Sequence, residues 1–145
     1  MSEPVDPILE FIRLIWSVDH ELHRISKRMV SQMGLTAPQR LALRFIGRNP
    51  GVTPGRLAEL LHLHPGTVTG IVQRLEAIEL LRRERSSEDV RRMHLTLTAT
   101  GRAVDRRRKG TVEAAVRRSL ADMSPAQLTQ ASRVMERLAA ELAAE

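Results

Sequence analysis

Gln73 and Arg74 stand side by side in a stretch of small polar and aliphatic residues, and they carry the side chains best suited to reading a base edge. A carboxamide offers one donor and one acceptor in a plane, which matches adenine. A guanidinium offers a fork of donors, which matches guanine or a phosphate; one such bidentate contact discriminates by about 1–3 kcal/mol. Pro65, Gly66, Thr67, Thr69 and Gly70 share the expected outward face and are small enough for close approach to a polymer. Further on, Asp89 and Arg91 lie in a charged turn, S-S-E-D-V-R. A lone guanidinium there can enter a narrow minor groove, where the potential is most negative, and Asp89 is expected to hold and orient it. Arg92, with Arg82, Arg83 and Arg85, reads as a set of phosphate contacts or solvated flanks acting through salt-dependent affinity.

These residues need a scaffold, and the hydrophobic periodicity supplies one. Apolar residues from Ile8 to Met29 recur mostly three or four apart and predict a long amphipathic helix stopped by Gly34. Thr36 and Gln39 form a capping-box pair before a second helix with Leu41, Leu43, Phe45 and Ile46 inside. Thr53 and Pro54 open a third, with Leu57, Leu60 and Leu61 inward. A fourth starts at Pro65, capped by His64, with Val68, Ile71, Val72, Leu75 and Ile78 inward. Two helices this closely joined, the second with a polar outer face, give a helix-turn-helix. Leu80–Arg85 and Met93–Leu97 predict a hairpin wing. A fifth helix runs from Thr98 to about Met123, with Gly110 marking a bend or a close packing point. Ser124 and Gln127 cap a last one, with Leu128, Ala131, Val134 or Met135, Leu138 and Leu142 inward.

Composition narrows the classes. The chain has 145 residues, a size for one domain with one sizeable core. Its net charge of +6 favours a polyanionic partner. It has no cysteine, which removes disulfides, Cys-based zinc sites and thiol chemistry. No apolar run approaches membrane-span length, and the acidic N-terminus does not open a signal peptide, so a soluble cytoplasmic protein is expected. No nucleophile elbow, phosphate loop or H-E-x-x-H is present, so no enzyme and no cofactor are expected. His20 and His23 share a helical face with Asp19 and Glu21 nearby, but solvated or core-edge histidines are the better reading and no metal site is assigned. Single-strand or RNA binding is disfavoured, because the aromatics needed for base stacking are limited to Phe11, Trp16 and Phe45. The cations at 106–109 point all round a helix and read as a solvated face.

The run L-A-E-L-L-H-L-H-P-G-T-V-T-G-I-V-Q-R-L-E, the Asp89-x-Arg91 pair and the L-T-x-x-G entering the next helix resemble, in order and spacing, the MarR family of bacterial winged-helix transcriptional regulators. The resemblance covers nearly the whole chain. It implies a mainly α fold, a winged helix-turn-helix (36–98) between long dimerisation helices (1–35 and 120–145), with a connecting helix over 99–119, in one domain spanning 1–145. It also implies a homodimer on a pseudo-palindromic operator in double-stranded DNA, released by a small ligand. Two positions depart from the family pattern. Gly70 stands where many relatives place an Arg, and Glu79 where many place the Gly of a left-handed helix cap.

Effector pockets in the resembled family lie where dimerisation helices meet the winged unit. Arg13, Trp16, His20 and Phe45 are the corresponding candidates, since an aromatic wall beside a cation suits an aromatic carboxylate or phenolate. Two other functions compete with a ligand-responsive regulator: an architectural or antagonist DNA-binding protein without a ligand, and a dimeric module whose winged unit meets another protein.

Overall fold

In the computed structural model, which describes residues 6–89 and 91–145, helix α1 (Pro7–Met33) begins where the Asp6 carboxylate accepts the Ile8 amide at 2.8 Å. It ends at Gly34, whose left-handed φ of 73° carries no Cβ penalty. The first five residues of the expected 1–35 dimerisation segment, which include most of the acidic N-terminal stretch, lie outside the described residues. Helix α2 (Ala37–Arg48) starts with the expected capping box: the Thr36 hydroxyl accepts the Gln39 amide and the Gln39 side chain accepts the Thr36 amide. Helices α3 (Pro54–Leu61) and α4 (Pro65–Ala77) follow, then strands β1 (Leu81–Arg85) and β2 (Met93–Leu97), and α5 (Ala99–Arg106).

The chain divides into two compact units, one running to Val112 and the other from Glu113. The core of the first joins α2, α3, α4 and the hairpin through Leu43, Ile46, Leu57, Val68, Val72, Leu75, Leu81 and Leu95, all essentially withdrawn from water. Each such side chain contributes about 1.5–3 kcal/mol by burial. β1 and β2 pair antiparallel, from Leu81 opposite Leu97 to Arg85 opposite Met93. A short bridge extends the sheet, since Leu95 donates to the Val52 carbonyl at 2.8 Å and accepts from Gly51 at 2.9 Å. The second unit holds the body of α6 (Val112–Ser119) and α7 (Pro125–Ala144), the latter opened by the expected Ser124–Gln127 capping box.

Two sequence expectations change, and a third observation accords with helices that carry more apolar stripe than one winged unit can cover. The connecting helix expected over 99–119 is two helices, broken where Arg107 turns extended and Gly110 takes a φ of 77°. In α2, Leu41 is 47 % exposed, and the inward place goes to Arg40, which is 1 % exposed. The apolar stripes of α1 and α7 are not covered within their own units: Ile8, Leu14, Trp16, Leu128, Met135 and Leu142 are among the exposed large residues. No helix among the described residues is long and apolar enough to cross a membrane.

Candidate nucleic-acid interface

Helix α4 is seated by Val68, Ile71, Val72 and Leu75, all buried, which turns Pro65, Gly66, Thr67, Thr69, Gly70, Gln73 and Arg74 outward. Among the described residues, neither the Gln73 nor the Arg74 side chain has a hydrogen-bond or ion-pair partner, so both heads are available to a ligand. The Thr69 hydroxyl is turned back onto the Pro65 carbonyl at 2.9 Å. Gly70 has open space where a side chain would project.

Both ends of α4 are capped, the first by a side chain and the second by backbone. At its start, the His64 Nδ1 accepts the Gly66 amide at 3.0 Å, which requires that nitrogen to be unprotonated. Before it, His62 closes α3 in the left-handed region at φ 51°, with its own amide bonded to the Glu59 carbonyl and the Leu63 amide to that of Ala58. At the end of α4, Glu79 does the same at φ 60°, with the Glu79 amide bonded to Glu76 and the Leu80 amide to Leu75. These are paired Schellman bonds. The left-handed cap is therefore kept without the usual glycine, at a cost of about 1 kcal/mol.

The connection onward depends on Gly101. A Cβ there would come within 1.9 Å of the Leu80 carbonyl oxygen, so only glycine lets α5 pack against the end of α4. Thr98 completes the joint: its hydroxyl donates to the Glu79 carbonyl at 2.6 Å and accepts the Gly101 amide at 3.0 Å.

The wing tip is built differently. Its side chains from Arg85 to Arg92 include none that is described as buried, and its shape comes from hydrogen bonds. The Ser86 hydroxyl accepts the Glu88 amide at 3.2 Å, and the Asp89 carboxylate accepts the Arg91 backbone amide at 3.0 Å. Asp89 thus orders the turn through the Arg91 amide rather than by gripping its guanidinium, which has no partner among the described residues. The carboxylate's nearest cation is Arg92, whose Nε lies 4.0 Å away. Arg83 is engaged elsewhere, its Nε donating to Glu76 of α4 at 2.7 Å, an exposed pair that ties the wing to the helix. Sequence reasoning missed this pair because its members are seven residues apart, on different elements.

The effector candidates are less concentrated. Trp16 is 72 % exposed on α1, His20 is exposed, and Phe45 packs against the core of the winged unit. Arg13 is hydrogen-bonded to Glu10, with Nε–Oε2 at 2.8 Å. That bond holds the Glu10 carboxyl below its ordinary pKa and raises that of Arg13. A groove of about 510 Å³ lies elsewhere, between α4 and the base of the wing, lined by residues that include Glu76, Arg82, Arg83 and Met93. His23 Nδ1 lies 2.8 Å from the Asp19 carbonyl of its own helix, and no group of three or more potential metal ligands is gathered among the described residues.

A helix-turn-helix with an outward polar face, followed by a charged hairpin, defines a winged-helix DNA-binding protein. The family model described as MarR family matches residues 33–92. An HTH-type transcriptional repressor of Mycobacterium tuberculosis is 30 % identical over 125 residues, which cover 86 % of this chain and 90 % of that one. The chain belongs to the MarR family of transcriptional regulators, a family of DNA-binding regulators and not of enzymes. Among solved structures, the PcaV transcriptional regulator of Streptomyces coelicolor, in complex with its natural ligand, superposes with a TM-score of 0.74 at 26 % identity. The alignment covers 99 % of this chain and all of that one. FabT of Streptococcus pneumoniae, in complex with DNA, superposes at 0.70 with 25 % identity, over 93 % of this chain and 96 % of its own.

Proposed function

We propose that this regulator is a cytoplasmic homodimeric repressor that binds a pseudo-palindromic operator in double-stranded DNA and is released by a small ligand. The observation that carries the reading is one helix face, the outward side of α4, on which Gln73 and Arg74 have no partner among the described residues. Pro65, Gly66, Thr67 and Thr69 would line the major groove beside them, while Asp89 shapes the wing and Arg91 and Arg92 reach the minor groove and the backbone. The exposed apolar stripes of α1 and α7 support a second copy as partner, with residues 1–145 acting as one domain, 1–35 and 120–145 at the dimer interface. Twofold symmetry then places two recognition helices about 34 Å apart on one side of the duplex.

A relative solved with DNA and another solved with its natural ligand support both halves of the proposal. A ligand releases DNA only if it binds more tightly to a dimer with the wrong helix spacing. Arg13, Trp16, His20 and Phe45 are the residues to vary for an aromatic carboxylate or phenolate. Footprinting on fragments selected from the source genome tests the reading. One protected palindrome is expected; diffuse protection would replace it with a ligand-independent architectural role.

A further inference from the structure

Arg40 is a charged residue on the buried side of α2, a placement that is strongly unfavourable unless its donors are matched. It is matched by backbone. Its guanidinium donates to the carbonyls of Val104, Asp105 and Arg107 at the end of α5, where that of Val104 also accepts the Arg107 amide. A cation at that end also meets the negative pole of the helix. Beside it, Arg44 Nη1 lies 2.8 Å from Asp105 Oδ1, largely shielded from water. A Cβ at Gly47 would come within 2.8 Å of the other Asp105 oxygen, so the glycine is what admits the carboxylate.

The same junction reaches α1. Arg107 Nη1 donates to the Gln32 carbonyl at 3.2 Å, in the last turn of α1, and a Cβ on Gly110 would lie 3.1 Å from the Gln32 side-chain oxygen. Thr111, also buried, donates to the Arg108 carbonyl at 2.7 Å and closes the turn. Helix α5 is therefore a strut of about 12 Å fixed at both ends. Its first turn is fitted to the end of the recognition helix through Thr98 and Gly101; its last is held to α2 by Arg40 and to α1 by Arg107.

Replacing a buried charge cluster by well-packed apolar side chains is often neutral or stabilising. What Arg40 adds beyond a methionine of similar volume is direction, since three carbonyls fix where the strut ends. We propose that Arg40, with Arg107, is a positioning pair for operator half-site spacing: it sets the angle between α1 and the recognition helix. The inference rests on the proposed dimer on a palindrome. Neither arginine needs to touch DNA to act in this way.

The test is a spacing series. Duplexes carrying the footprinted half-sites are made with the central spacer changed by one or two base pairs either way; each base pair moves a half-site by about 3.4 Å and 35°. The parent, Arg40→Met, Arg40→Lys and Arg107→Gln are titrated against the series, with dimer mass, thermal melting and the salt slope of binding measured alongside. For the parent, one spacing is expected to win by about tenfold over its neighbours, a loss in the range of one mismatched base pair. For Arg40→Met that preference should flatten to about threefold or less, with an unchanged salt slope because no phosphate contact is lost. Arg40→Lys should fall between. Arg107→Gln, an exposed change, should broaden the profile even if Arg40→Met fails to fold. Variants as steep as the parent would overturn the positioning role. A parent with no preferred spacing would instead overturn the palindrome reading, and this inference with it.

Discussion

The recognition helix and the wing both face outward with charged or polar tips, yet they are held in place by opposite means. Helix α4 sits on four buried aliphatic side chains, is capped at its start by the His64 ring and is closed at its end by backbone bonds. The wing tip has no such anchor, and it is ordered by two side-chain acceptors, Ser86 and Asp89. The difference assigns separate tasks. The helix supplies geometry, because moving it means opening the core. The hairpin supplies charge that can adapt to a groove, because moving it breaks only a few solvent-accessible hydrogen bonds of about 1 kcal/mol each.

The largest effect expected from this contrast is at Leu75, which is fully buried. Leu75→Ala should lower stability by about 3 kcal/mol, read by denaturant or thermal melting. A loss below about 1 kcal/mol would mean that α4 is not seated by the core. At the wing, Arg91→Ala should weaken operator binding by about 2 kcal/mol, roughly thirtyfold, while the melting temperature stays that of the parent. Equal loss of stability and affinity would erase the distinction between the two regions. Asp89→Ala should have a smaller effect on binding, about 1 kcal/mol, through loss of the bond to the Arg91 amide. If it matches Arg91→Ala in full, Asp89 has a contact of its own with DNA.

The smallest change expected sharpens the contrast from the helix side. Glu79→Gly relieves a left-handed conformation at the end of α4 and should stabilise by about 0.5–1 kcal/mol, worth a few degrees in melting temperature. It should leave binding unaltered. Weaker binding in this variant would show that Glu79 acts on the DNA side and not only as a cap.

The parts of the fold that were legible in sequence are those governed by neighbours in the chain. Thr36 with Gln39, Ser124 with Gln127, Gly34 and the 3.6-residue periodicity of α4 all express rules that act over four residues or fewer. The parts that were not legible depend on distant partners. The apolar pattern places Leu41 inward and gives Arg40 no place in the core; only α5, sixty-odd residues away in sequence, puts Arg40 there. The break after Arg106 has the same origin. Gly110 signalled a bend, but the carbonyls freed by ending α5 are satisfied by α2, and a local reading cannot supply those donors. At the site, the outward face of α4 was legible because burial of one helix face determines the other. The Asp89 contact was legible in its members and not in its atoms, since a carboxylate two residues before an arginine can take either the amide or the guanidinium.

Trp16, the chain's single tryptophan, lies 72 % exposed on the apolar stripe of α1. The protein therefore carries its own optical probe, with no second indole to obscure it. An isolated chain should emit at the red wavelengths of a hydrated indole, and any partner or ligand that covers α1 should shift that emission to the blue. Dilution, operator and candidate effectors can thus be followed on one unlabelled sample, from the helix where association and release are proposed to meet.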